Sequence, residues 1–213
     1  MIDDVQPKIE PIVVQKPALS DLVLERLISA IGDGALEQGA KLRDAELAAS
    51  LHVSRMPVRQ ALQRLEQIGL IESSPSRFTR VVTVTKELAE ETIAFAGYAG
   101  GVLLRTKLPE FSDRERAVLI REVADLGLVE DPATLSDVVR DVLRRLIDTG
   151  ATHFLGRMLD RSLPAIWCNV RRYDVPVDQT IHKEAVDELS ASIRSSDAAA
   201  AETAMRRLFR LPV

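Results

Sequence analysis

One stretch of the sequence carries polar side chains in a row at helical spacing. Arg55, Arg59 and Gln63 follow one another at four-residue steps, so a helix would place all three along one side. An arginine can donate two hydrogen bonds to N7 and O6 of guanine in the major groove of B-DNA, or grip a phosphate at its edge. Such a row has the chemistry of a DNA-reading surface, although ordinary exposed helices also carry arginine at this spacing.

The same stretch has the pattern of an amphipathic helix that begins after a serine. Ser54 is placed to cap it and, together with the free N–H groups of the first turn, would suit a backbone phosphate. Pro57 falls in that first turn, where a missing N–H costs little, and we include it among the DNA-facing residues. The helix ends at Gly69. Its apolar positions are Val58, Ala61, Leu62, Leu65 and Ile68.

Two predicted helices precede this one and a predicted hairpin follows it. The first runs from Leu19 to Ile31, and the second covers residues 46–51 with Asp44 as its N-cap. After Gly69 the hydrophobic period changes to two, with a turn at residues 73–76 between two strands. Three helices followed by a hairpin are typical of a winged helix-turn-helix, in which the hairpin is the wing.

Charge is concentrated in this part of an otherwise acidic chain. The net charge is −4, which argues against a protein that coats nucleic acid or membranes through bulk charge. Between Val53 and Arg80, however, five arginines face two glutamates, a surplus of three positive charges. Arg77 and Arg80 fall on the predicted wing, which in such folds lies against the minor groove or the DNA backbone. Any DNA binding must therefore be local.

Residues Ile31 to Val81 resemble the N-terminal domain of GntR-family regulators. The matching segments are Glu46-Leu47-Ala48, Val53-Ser54-Arg55-Met56-Pro57-Val58-Arg59-Gln60-Ala61-Leu62, Leu65 and Gly69-Leu70. Two positions depart from the family. An arginine usually precedes the Glu-Leu pair, whereas this chain has Ala45 there and Arg43 two residues earlier, and the usual wing-tip glycine is replaced around Phe78. The DNA-binding residues expected from the row and the resemblance together are Arg43, Ser54, Arg55, Pro57, Arg59, Gln63, Arg77 and Arg80.

Beyond Thr85 the sequence has helical signals only. Ser112 with Glu115 forms a capping box, and Asp131 and Asp197 are further helix starts. Five to seven helices are expected, so the fold class is mostly α: a flexible arm at 1–17, a winged helix-turn-helix at 18–84 and an all-α helical bundle at 85–213. Glycines inside the first of these helices indicate a kink, a helix break or a close helix contact, and the sequence does not choose among them; they are Gly97, Gly100 and Gly101.

The bundle resembles the effector domain of the FadR-type branch of the family, an FCD-like domain. That resemblance implies a homodimer and a small-molecule effector similar to an organic acid. The candidate effector-binding residues are Phe95, Arg140, Arg144 and Trp167. Other interpretations stay open, because Arg140 and Arg144 could form a solvated face with Asp137 and Asp141, and Trp167 could belong to the core or to the dimer interface.

No metal or other cofactor is predicted. Many members of the branch hold a divalent metal with an aspartate and three histidines, but Val186 and Leu208 occupy two of those histidine positions here. The earlier ligand positions correspond to Arg140 and Arg144, which cannot coordinate a metal. The three histidines have no spacing that would place two on one helical face; they are His52, His153 and His182.

Enzymatic and membrane roles find no support in the sequence. It has no Gly-x-Ser-x-Gly motif and no phosphate-cradling glycine loop, and Cys168, the one cysteine, has no nearby histidine. Met1 to Glu10 lack an apolar signal region, and no stretch approaches about 18 uninterrupted apolar residues. We expect a cytoplasmic homodimeric repressor that binds a palindromic double-stranded operator. In the alternative hypothesis the bundle only dimerises and has lost metal and effector binding.

Overall fold

The computed structural model describes residues 18–75, 77–129, 131–150, 154–173 and 179–212. The proposed arm at 1–17 and His153 lie outside these residues. The described chain is mostly helical, as predicted. Its elements are α1 (Leu19–Gly32), α2 (Asp44–Ser50), α3 (Arg55–Gln67), β1 (Ile71–Ser74), β2 (Phe78–Val81), α4 (Lys86–Lys107), α5 (Asp113–Leu126), α6 (Pro132–Gly150), α7 (Phe154–Arg172), α8 (Gln179–Arg194) and α9 (Ala198–Leu208), with a short 3-10 turn at Leu108–Glu110.

Helices α1 and α2 pack against the apolar side of α3. Val58, Ala61 and Leu65 are fully buried there, which confirms the predicted amphipathic pattern of this helix. β1 and β2 pair antiparallel, with Ile71 opposite Val81, and both of these side chains are buried. The hairpin therefore shares one hydrophobic core with the helices, and its position relative to α3 is fixed by packing.

Two of the predicted caps differ from the structure. The N-cap of α2 is Arg43 rather than Asp44, which is the first helical residue and directs its carboxylate to Arg55. An ion pair with a guanidinium has replaced the expected capping bond. Ser54 does occupy the N-cap position of α3, but its side chain makes no capping hydrogen bond.

The predicted caps of the C-terminal bundle are confirmed. Ser112 and Glu115 form the capping box of α5, in which the Ser112 backbone N–H donates to the Glu115 carboxylate at 2.7 Å. Asp197 accepts from the backbone N–H groups of Ala199 and Ala200 at the start of α9. Six α-helices follow the hairpin in the described part of the chain, within the predicted range of five to seven.

The glycines of α4 mark a close helix contact rather than a kink or a break. A Cβ atom on Gly97 would lie 2.6 Å from the Cβ of Phe209, just beyond the end of α9. A Cβ on Gly100 would lie 3.1 Å from Leu143 on α6. The helix continues without interruption from Lys86 to Lys107, so these glycines serve to bring its neighbours close.

Helix α7 takes part in two hydrophobic clusters. Its Leu163 and Ile166 belong to the core of the bundle, whereas Trp167 and Cys168 pack with α1 and α3 in the core of the N-terminal domain. This helix therefore joins the two parts of the molecule through buried contacts.

We expect opposite effects from alanine at two glycines of α4. Gly97→Ala should lower the free energy of unfolding by about 1–3 kcal/mol, because the added methyl meets the rigid Cβ of Phe209. Gly101→Ala is the matched control, since its Cβ would meet nothing closer than 3.4 Å. It should gain up to about 1 kcal/mol from helix propensity. Urea unfolding of both variants measures this, and equal midpoints would contradict the packing argument.

Candidate nucleic-acid interface

A groove of about 770 Å³ separates α3 from the wing. Arg55, Arg59 and Gln63 line it from the helix, and Arg77 lines it from the turn of the hairpin. Arg43, just before α2, closes one end. The structure therefore brings five of the eight predicted DNA-binding residues to the border of one open groove.

The base of the groove is held by hydrogen bonds between the helix and the hairpin. The Leu70 backbone N–H donates to the Leu65 carbonyl at 2.9 Å, and the Ser73 hydroxyl donates to the Glu66 carboxylate. On the far side of β2, the Leu42 N–H donates to the Thr79 carbonyl at 2.7 Å. The wing thus has a partner on each side, which fixes the width of the groove.

The turn between α2 and α3 sets the direction of α3. His52 has φ of 52°, a left-handed conformation that is uncommon outside glycine. The Val53 N–H donates to the Ala48 carbonyl at 3.0 Å, which reverses the chain before α3 begins. The outer side of α3 is left exposed by this geometry.

Arg55 and Arg59 differ in their surroundings. One terminal nitrogen of Arg55 donates to both carboxylate oxygens of Asp44, each at 2.9 Å. These hydrogen bonds hold the pKa of Asp44 below its usual value, so this carboxylate stays ionised. Arg59 is exposed and has no ion pair with any residue that the structure describes. It interacts with Asp44 by electrostatics alone, without a direct ion pair, so its guanidinium can turn toward a ligand.

The two arginines of the wing lie on different sides of it. Arg77 is exposed at the turn and borders the groove. Arg80 is on the opposite side of β2, where its Nε donates to Glu72 at 2.6 Å and its guanidinium covers the Phe78 ring at 4.6 Å. The prediction grouped both with the DNA-facing residues, but only Arg77 shares the groove with α3. Arg77 lies in the turn before β2, whereas Arg80 lies within the strand, opposite Glu72.

Ser54 and Pro57 do not border the groove, and Arg43 lies at its edge. Ser54 is exposed at the N-terminus of α3, where a phosphate could reach the free backbone N–H groups. Arg43 is exposed and pairs with Glu46 at 2.7 Å. Pro57 is buried, so its assignment to the DNA-facing set is corrected: it packs into the core and starts the helix.

Sequence reasoning missed the two carboxylates of the groove, Asp44 and Glu66. Asp44 lies eleven residues before Arg55, and no periodic pattern joins them. Only the reversal of the chain between α2 and α3 brings them together.

The four candidate effector residues do not form one site. Only two of them meet: the Arg140 guanidinium lies 5.6 Å from the centre of the Trp167 ring, and both side chains contact Asp137. Phe95 is exposed on α4 and borders a cleft with Leu24 and Ile28 of α1. Arg144 pairs with Asp160 on α7. Arg140 pairs with Asp137 and Asp141, as the interpretation of a solvated face expected. Trp167 is buried at the junction with the N-terminal domain.

The bundle has a small apolar cavity elsewhere. It measures about 80 Å³, and none of the four candidate residues is among the described residues that line it. His182 borders it and is bound through Nε2 to the Leu126 carbonyl at 2.9 Å. The other lining residues are Ile93, Leu126, Leu135, Val139, Val170, Leu208, Phe209 and Arg210.

The side chains of this region do not fit a metal ion. Val186 is buried in the apolar core and Leu208 lines the cavity, so the positions of two expected ligands offer only hydrocarbon. Arg140 and Arg144 carry donors without a lone pair for a metal. Within the residues that the structure describes, no three His, Cys, Asp or Glu side chains are grouped to hold a metal.

None of the described helices combines the length and apolar character needed to cross a bilayer.

The comparison with known families agrees with the geometry of the groove. Residues 19–81 match the family described as "Bacterial regulatory proteins, gntR family". The chain carries an N-terminal GntR helix-turn-helix domain. The match ends at Val81, the last residue of β2, so the GntR domain comprises α1 to α3 and the wing.

Proteins similar to this chain are transcription regulators and not enzymes. A "probable D-xylose utilization operon transcriptional repressor" of Paenarthrobacter nicotinovorans is 35% identical over 81 residues, which is 38% of this chain. The match spans only 34% of that relative's own length. This chain therefore matches only about a third of that relative.

Two solved structures share the fold over nearly the whole chain. E. coli McbR/YncC has a TM-score of 0.65 and 19% identity, covering 92% of this chain and 95% of its own. A GntR transcriptional regulator of Rhodococcus sp. RHA1 has a TM-score of 0.58 and 18% identity, covering 89% and 93%. The arrangement of a helix-turn-helix domain with a helical bundle is therefore shared.

We expect the one thiol of the folded protein to be inert. Burial raises the pKa of Cys168 to about 12, so at pH 8 only about one thiol in ten thousand is ionised. An aromatic disulfide reagent should label native protein very slowly and label protein unfolded in guanidinium within minutes. Rapid stoichiometric labelling of the native protein would show that the junction around α7 opens readily.

Proposed function

We propose that this protein is a sequence-specific DNA-binding transcription regulator, acting as a repressor that binds a palindromic operator as a homodimer. The observation that carries this proposal is the groove between α3 and the wing, which has arginines on both of its sides. Four exposed arginines border this one groove of an acidic protein, which gives it the local positive charge needed to attract a phosphate backbone.

In the proposed complex, α3 enters the major groove and the wing follows the backbone. Arg55, Arg59 and Gln63 face base edges, because they form the exposed row of the helix. Arg77, Arg43 and Ser54 surround that row and contact phosphates, which fixes the register without reading sequence. Arg55 exchanges Asp44 for DNA on binding, so part of its interaction energy offsets the loss of that ion pair.

The chain is divided in this proposal into an arm at 1–17, the DNA-binding domain at 18–84 and a FadR-type dimerisation bundle at 85–213. Two hydrophobic clusters support this division, since the N-terminal cluster takes only Ala165, Trp167 and Cys168 from beyond residue 84. A two-fold symmetric dimer presents two copies of α3, and this is the reason to expect a palindrome.

The bundle has a second candidate role, as the sensor of a small-molecule effector. Its internal cavity of about 80 Å³ is far below the roughly 300–1,000 Å³ of ordinary ligand sites, and its lining is mostly apolar. That observation favours a bundle that dimerises without binding an effector. A thermal-shift screen with small carboxylic acids separates the two roles, since a saturating ligand would raise the melting temperature.

We expect Arg59→Ala to remove specific operator binding, because this side chain is exposed on the reading row and unpaired in the described structure. The loss should be about 1–3 kcal/mol, or roughly 5- to 150-fold in affinity. Arg80→Ala is the matched control, since Arg80 lies on the outer side of the wing with Glu72. Titration of operator DNA by fluorescence anisotropy measures both. Equal losses in the two variants would contradict the assignment of the groove.

The operator itself can be sought by a mobility shift on the DNA upstream of the protein's own gene. The shift should survive excess random duplex and weaken as salt is raised, because phosphate contacts release counterions. Failure of genome-wide selection to enrich any sequence would overturn the proposed function.

A further inference from the structure

Helix α4 presents a partly exposed apolar stripe, which begins at Phe95 beside the cleft with α1. Phe95, Tyr98 and Val102 are 42%, 41% and 38% exposed, and their spacing of three and four residues places them in one line. Three large apolar side chains in one row on a surface helix are more than the scattered exposure that soluble proteins normally show. Such a stripe is typical of a surface that is buried against a partner.

A charged residue extends the stripe at each end. Glu91 lies four residues before Phe95, and Arg105 lies three residues after Val102, so both continue the same line. Both are exposed, and neither forms an ion pair with any residue in the described ranges. The row therefore runs from a negative end, through an apolar centre, to a positive end.

The order of charges along this row is complementary to itself when the helix is reversed. Glu91 and Arg105 are each seven residues from Tyr98, a distance of about 10 Å along the helix. A second α4 crossing antiparallel at Tyr98 would bring each Glu91 opposite an Arg105 of the other copy. The same operation places Phe95 within one residue, about 1.5 Å along the helix, of the Val102 of the other copy. A two-fold axis generates this arrangement, because each subunit uses the same patch.

We propose that α4 is the dimer interface of this protein, in which two copies of the helix pack antiparallel about an axis at Tyr98. The second copy is the occupant that the observations favour, because the charge pattern fits α4 itself. This inference deepens the proposed function by naming the surface through which the two DNA-binding domains are joined.

The structure supports α4 from behind. Its inner side carries Ala96, Gly97 and Gly100, which let α9 and α6 approach closely. The Tyr98 ring is held against the guanidinium of Arg206 on α9, with 5.4 Å between the guanidinium carbon and the ring centroid. The exposed stripe therefore lies on a rigid helix, so little order has to be gained when a partner binds.

Charge reversal tests the interface in the full-length protein without DNA. Sedimentation should show a dimer for the wild type, and Glu91→Arg or Arg105→Glu should raise its dissociation constant by on the order of tenfold or more, because each variant creates two like-charge contacts. The double variant carrying both reversals should regain the wild-type dissociation constant. Glu90→Arg is the matched control, as Glu90 lies on α4 outside the stripe and pairs with Lys86.

Cross-linking tests the position of the axis. Tyr98→Cys would place two thiols close together at the two-fold axis, so mild oxidation should give a disulfide-linked dimer. Cys168 is buried and should not compete in this reaction. Arg114→Cys, on α5, is the control that should remain unlinked at the same protein concentration.

Any one of three results would overturn the proposed interface. The wild type could be a monomer, both single reversals could leave the dissociation constant unchanged, or the double variant could stay dissociated. These outcomes are independent of operator binding: a dimer with this interface that binds no specific DNA would contradict the proposed function alone.

Discussion

The contact between Trp167 and Gly32 holds the N-terminal GntR domain against the bundle. A Cβ atom on Gly32 would lie 2.1 Å from the indole ring, so the ring can occupy this place only because residue 32 has no side chain. The indole Nε1 donates to Asp137 at 2.7 Å, and the guanidinium groups of Arg140 and Arg171 flank the ring at 5.6 and 5.4 Å. A large apolar ring is thereby fixed by a hydrogen bond and by cations on its periphery.

Polar bonds around that ring tie α7 to the end of α1. Arg172 donates to the Ile31 carbonyl at 2.6 Å, and Arg171 pairs with Asp33 at 3.3 Å. These bonds engage carbonyl and carboxylate groups at the C-terminus of α1, where a helix attracts cations. The place of α3 relative to α4 depends on this junction. If two copies join through α4, the junction also sets the spacing between the two reading helices.

Electrostatics at the groove follows from a different constraint. The protein is acidic overall, yet four arginines border its groove. Among the described residues, Arg43 and Arg55 each pair with one carboxylate, and the other two arginines have no ion pair. Asp44 keeps Arg55 in place across the turn, whereas Arg59 has open surroundings. The side chain of Arg55 is therefore held in place before a ligand binds, whereas that of Arg59 can adjust its position. This combination suits a ligand that has a regular backbone and a variable sequence.

The sequence by itself determined the elements and the type of DNA-binding domain, because periodicity, caps and the Val53 to Leu62 motif are local properties. It placed Arg55, Arg59 and Gln63 on one row correctly, since four-residue spacing on a helix needs no tertiary information. It could not separate Arg77 from Arg80, which depends on strand register, nor recognise that Pro57 is buried. Only the tertiary structure decided that the glycines of α4 admit neighbouring helices and that Trp167 lies at a domain junction. Those outcomes depend on which segments, distant in sequence, come into contact. Local sequence patterns do not specify such contacts.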